Sequence, residues 1–105
     1  MLDFYKISDD TPKPDWPEKI GMVRIDGLEL SDFEDLKKRN LISEKFDFWS
    51  DFRLSKDSTL GLYDLILATY PEVREGELKI KAVSKLFKIV SSATKDNFGL
   101  IAYCD

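Results

Sequence analysis

The chain has 105 residues with 20 acidic and 16 basic side chains, no histidine, a net charge of −4 and a pI near 4.9. That balance lacks the basic surface a nucleic-acid binder uses to neutralise phosphates, and no apolar run approaches the roughly 20 residues of a membrane span. A hydrophobic share of 43%, with seven Phe, four Tyr and two Trp, suffices for a core and is too high for a disordered chain.

One domain over residues 1–105 is expected at this length. The single cysteine, Cys104, cannot form an internal disulfide, and the Met1–Lys6 start lacks the basic-then-apolar layout of a secretion signal, so a reducing, cytoplasmic location is expected. The charge is uneven. Residues 1–52 hold 13 acidic and 8 basic side chains, and residues 53–105 hold 7 and 8. An acidic half favours a basic partner through electrostatic steering.

In chain order, Leu2–Ile7 reads as a short strand with Phe4 and Lys6 on one side and Tyr5 and Ile7 on the other. Residues 8–19 read as a loop, because Pro12, Pro14 and Pro17 each remove a backbone donor; Trp16 is expected to fold back from it onto the core. Met22–Ile25 reads as a second strand ending at an Asp26–Gly27 turn. Ser31 and Glu34 have the spacing of a capping box, which starts a helix over 32–40 with Phe33 and Leu36 inward. Residues 46–53 alternate as a strand, with Phe46, Phe48, Ser50 and Phe52 on one face and Asp47, Trp49, Asp51 and Arg53 on the other. A helical reading of the same residues gathers Phe48, Trp49 and Phe52 on one apolar face.

Ser55 is an N-cap for a helix reaching Thr69, with Leu62, Leu65, Ile66 and Thr69 on one face, Gly61 as a weak point, and Pro71 ending it. Residues 77–94 are helical, with Ile80, Val83, Phe87 and Val90 inward, Leu86 at the edge, and Ile89 on the side of Lys81, Lys85 and Lys88. Phe98–Tyr103 is a nearly continuous apolar run and reads as a buried strand. The pattern predicts an α+β fold: a small, mostly antiparallel sheet of about four short strands against about three helices.

Catalytic signatures are missing. The absence of histidine removes the commonest general base and metal ligand. No phosphate-binding glycine loop or nucleophile elbow is present. Cys104, between Tyr103 and Asp105, has no cationic sequence neighbour to lower its pKa. Asp47 and Asp51 as a strand pair would lie about 13 Å apart, too far for a glycosidase pair; in a helix they would be neighbours, but a chain this short offers little room for a sugar cleft. Asp9, Asp10 and Asp15, and likewise Asp26, Glu29 and Asp32, lack the spacing of a calcium loop. No enzyme, no cofactor and no metal are therefore expected. A small-ligand role would need a concave pocket with converging polar groups.

Phe48-Trp49-Ser50-Asp51-Phe52-Arg53-Leu54-Ser55, leading into a helix, and the ending Gly99-Leu100-Ile101-Ala102-Tyr103-Cys104-Asp105 resemble segments of small bacterial immunity proteins encoded beside polymorphic toxins. The resemblance implies a cytosolic protein that binds and neutralises a cognate toxin, and it carries over no fold, catalytic residue or contact position. With it, the expected function is a non-catalytic protein-binding inhibitor whose partner is another protein, such as a basic toxin domain. The alternative is a self-associating structural or regulatory subunit, for instance a homodimer. The expected binding residues are Asp47, Trp49 and Asp51, with Asp32, Glu34 and Asp35 on the first helix. Exposed, Trp49 would anchor an interface; buried, it would belong to the core with the aspartates as turn residues.

Overall fold

Among the described residues four strands and three α-helices follow in the order β, β, α, β, α, α, β, with a short 3-10 helix between the last two α-helices, and the strands form one antiparallel sheet, as the α+β pattern predicts. The structure is a computed structural model and describes residues 1–16 and 21–104. Strand β1 (Leu2–Ile7) lies between β2 (Arg24–Leu28) and β4 (Gly99–Cys104), and β3 (Phe52–Leu54) pairs with the far side of β4. The two central strands are the most apolar, which suits elements covered on both faces.

One face carries Leu2, Phe4, Leu28, Leu100 and Ala102 and packs under helices α1 (Leu30–Lys38), α2 (Lys56–Thr69) and α3 (Lys81–Lys95). The other face carries Tyr5, Ile7, Ile101 and Tyr103, with Met22 against them. Residues 8–16 strap this second face. Arg53 donates to the carbonyls of Ser8 and Thr11, both at 3.0 Å, and the Tyr103 hydroxyl donates to the Pro14 carbonyl at 2.8 Å.

The strap corrects one expectation. Trp16 is 53% exposed and does not fold back onto the core; among the described residues of that loop the buried one is Pro14, fixed by Tyr103. Pro17 lies outside the described residues.

Burial, reinforced by the nearby Asp51 carboxylate, raises the Tyr103 pKa above its ordinary value against the opposing pull of Arg53. A raised folded-state pKa means stability present in full below the unfolded value, about 10, and lost as pH rises through the folded value. We expect Tyr103→Phe to cost about 1 kcal/mol near neutral pH for the lost Pro14 bond. It should also flatten the alkaline decline relative to wild type, read by urea denaturation at several pH values between 8 and 11.

β2 runs straight through Asp26–Gly27, which is a strand segment and not the expected turn. A Cβ at Gly27 would meet the Met1 thioether and the Arg24 guanidinium, the far ends of two flexible side chains that would have to shift to admit it. Arg24 also pairs with the buried Asp3 at 2.6 Å.

α1 starts earlier than expected. Its N-cap is Glu29, and the Asp32 carboxylate accepts the Glu29 amide at 3.1 Å, so the reciprocal box is formed by Glu29 and Asp32 and not by Ser31 and Glu34. Phe33 and Leu36 still face inward. Asn40 and Asn97, with φ of 61° and 60°, take the left-handed position just past α1 and α3.

Ser55 caps α2 as expected, accepting the Ser58 amide at 3.1 Å. The inward side of α2 agrees with the predicted one at Ile66 and, in part, at Leu62, and differs elsewhere. Thr59 and Ile66 are buried, while Leu65 is 46% exposed and Thr69 is exposed. The helix is turned so that Tyr63 stacks on Phe87 of α3 at 5.3 Å. Gly61 meets no atom within 4 Å of where a Cβ would lie. Gly61→Ala should therefore raise stability by about 0.5–1 kcal/mol through helix propensity alone, measurable by urea denaturation.

The buried residues of α3 are Ala82, Val83, Leu86, Ile89, Val90 and Ala93. Ile89, placed with the lysines by the sequence pattern, is fully buried, and Phe87 and Ile80 lie at the edge. The lysines are partly engaged: Lys85 pairs with Asp32 at 3.2 Å and Lys88 with Asp26 at 3.5 Å. Burial alone would raise the Asp26 carboxyl, but the Gly27 amide and Lys88 outweigh it and hold its pKa below the ordinary value.

Candidate functional site

Residues 46–51 are neither the strand nor the helix expected of them; strand pairing begins only at Phe52. They form a turn held at both ends by aromatic packing. Phe46 stacks on Phe52, with centroids 4.5 Å apart and planes 19° apart. Phe48 is buried and meets Phe33 of α1 edge-on at 5.5 Å. The alternation of aromatic and polar residues thus fixes which rings go inward, although the backbone does not extend.

Between these anchors the chain turns back on itself. The Trp49 amide donates to the Asp47 carboxylate at 3.1 Å, and the Ser50 amide donates to the Asp47 carbonyl at 3.3 Å. Asp47 is acting as an aspartate turn residue, which satisfies backbone donors that the missing ladder leaves open. Trp49 stands at the tip, 66% exposed, its ring edge-on to Phe48 at 4.9 Å. Of the exposed large hydrophobic residues among the described ones only Val23 is more exposed, and Val23 is far smaller.

The six expected binding residues separate into three groups. Asp47 and Trp49 share the turn and face solvent. Asp51 lies at its foot, where its carboxylate accepts the Cys104 amide at 3.1 Å and pairs with Lys13 of the strap at 3.3 Å. It therefore ties the turn to β4 and the strap. On α1, Glu34 is exposed, and Asp35 pairs with Arg39 at 3.1 Å, which in turn donates to the Tyr70 hydroxyl at 3.2 Å.

Asp32 does not fit a contact role. It is 5% exposed and engaged by the Glu29 amide and Lys85, so its charge serves the helix start and the α1–α3 contact. The Phe33–Phe48 contact sets the turn directly against α1.

Among the described residues, no group of three or more Cys, Asp or Glu side chains converges as a metal site would require. Asp9, from one candidate acidic loop, accepts the Lys56 amide at 2.9 Å, while Asp26 and Asp32, from the other, pair with lysines. No described helix is long and apolar enough to cross a membrane.

Sequence reasoning passed over Leu41, Ile42 and Ser43. They line a half-open apolar cavity of about 170 Å³ with Phe46, Phe52 and Leu62. The unassigned Leu41–Ile42 pair between two elements was the available signal.

Comparison with known proteins gives no matching family model, no match among curated proteins and no match among solved structures.

Proposed function

We propose that the chain is a non-catalytic protein-binding module that inhibits a basic partner protein, in the manner of bacterial immunity proteins that neutralise a cognate toxin. The observation that carries this reading is Trp49, 66% exposed at the tip of a turn whose flanking phenylalanines are locked into the core. A large aromatic held in place before contact loses little freedom on binding and makes an effective anchor. The exposed carboxylate of Asp47 in the same turn, and the surplus of acid in residues 1–52, favour a basic partner by steering. The resemblance of residues 48–55 and 99–105 to immunity-protein segments points the same way.

Asp47→Asn should slow association and flatten its salt dependence while leaving dissociation nearly unchanged, since an exposed charge acts mainly on encounter. Asp51→Asn is a poorer test, because its carboxylate also holds Cys104 and Lys13. The primary experiment is capture by the tagged chain from the native host's lysate at low and moderate salt. One stoichiometric basic partner, weakened by salt, supports the proposal. Recovery of the chain alone contradicts it.

Self-association is a second reading, favoured by Leu60 and Leu65 on α2, exposed at 44% and 46%. It predicts a concentration-dependent sedimentation coefficient in the micromolar range. Sedimentation as a monomer throughout that range removes it.

A further inference from the structure

We propose that the cavity between α2, β3 and residues 41–46 is a binding site for a small single-ring apolar molecule carrying one hydrogen-bond acceptor. This does not rest on the protein-binding reading.

The sheet register sets one side of the cavity. Phe4, Ala102 and Phe52 lie in one row across β1, β4 and β3, and the small Ala102 in the middle lets the two rings meet edge-on, with centroids 6.0 Å apart; both rings line the cavity. Leu86 and Leu41 close the inner part, both nearly fully buried. The stacked Phe46 and Phe52 rings form one wall and Leu62 of α2 contributes to the opposite side.

The cavity is half-open to solvent and has room of about 170 Å³. Enclosed engineered cavities of roughly 150 Å³ with comparable Leu, Ile and Phe linings take up benzene, which sets the scale of a fitting ligand. The match is therefore to one ring with a short substituent.

Polarity is confined to one end. Among the lining residues Ser43 and Ser58 are exposed, so they mark the mouth, while Phe4 and Leu86 mark the floor. The Ser43 hydroxyl oxygen accepts the Lys45 amide at 3.3 Å, and the Ser58 hydroxyl oxygen accepts the Ser55 hydroxyl at 3.0 Å. With their oxygens engaged as acceptors, both hydroxyls keep a proton to donate. A ligand whose ring enters first and whose carbonyl or ether oxygen stays at the mouth meets these two donors.

The test is a titration of the isotope-labelled chain with toluene and with acetophenone, followed by amide and methyl chemical shifts. Saturable shifts confined to the lining residues are expected for both. Acetophenone should bind about 3–10-fold tighter, the effect of one added hydrogen bond. Replacing Ser43 and Ser58 together by Ala should abolish that preference and keep toluene binding; the α2 cap, Ser55, is untouched. Ser58→Leu, which places an aliphatic side chain across the mouth, should abolish both. Absence of saturable shifts in wild type, or shifts scattered over the surface, would overturn the site whatever the variants do. Equal affinities for toluene and acetophenone would overturn its polar mouth.

Discussion

Ile89→Ala should cost about 3 kcal/mol of stability, enough to lower the urea midpoint markedly in a domain of this size. Ile89 is fully buried on the face of α3 that packs toward the core, between Leu86 and Val90. Removing three carbons there loses the transfer energy and leaves a space that the surrounding helices and sheet fill only in part. The control is Lys81→Ala on the exposed side of the same helix, expected within about 0.5 kcal/mol of wild type. The lysine-side placement suggested by the sequence pattern predicts the reverse, a negligible loss at Ile89. Equilibrium unfolding of the two variants decides between the placements.

Asp32→Ala is expected to cost about 2 kcal/mol, again by urea unfolding. The variant loses the acceptor for the Glu29 amide at the start of α1 and removes the partner of Lys85. The figure stays below that of a fully buried pair because the Lys85 side chain is 25% exposed and can turn to water. Glu34→Ala, two residues on and exposed, should change stability by less than about 0.5 kcal/mol. Were Asp32 a contact residue, its replacement would leave stability intact.

The fold class was legible because its elements carry strong, independent signals. The apolar run after Phe98 could only be a covered strand, Ser55 sits directly before a helical stretch, and Leu2–Ile7 alternates with both faces apolar. What misled was local competition. Two overlapping box spacings, Glu29 with Asp32 and Ser31 with Glu34, both fit the start of α1. The frame chosen is the one in which Asp32 meets Lys85 of a helix more than fifty residues away. In α3, Ile80 and Phe87 drew the apolar stripe to one side, while Ala82 and Ala93, which allow close packing, carry little hydrophobic signal. Asp26–Gly27 looked like a turn because the Asp-Gly pair is a local turn signal, while its strand partners, Phe4 and Asp3, are remote in sequence.

At the candidate site the sequence left two readings open: alternation put Trp49 opposite the phenylalanines, and a helical reading put it with them; the structure, with Phe48 buried and Trp49 66% exposed, agrees with the sides of the first. Alternation did not identify the backbone, because Asp47 supplies by its side chain the hydrogen bond that a strand would have supplied by pairing. The roles of Asp32 and Asp51 were hidden for a different reason: their partners, Lys85, Lys13 and the Cys104 amide, are remote in sequence.

The most direct measurement is the affinity of Trp49→Ala for the captured partner, set beside its unfolding curve. Trp49 is exposed and its amide bond to Asp47 survives the change, so the variant should unfold like wild type to within about 0.5 kcal/mol. The account predicts an affinity at least about 30-fold weaker, the roughly 2 kcal/mol of a hot-spot anchor. An unchanged affinity with unchanged stability would contradict it and move the contact away from the turn.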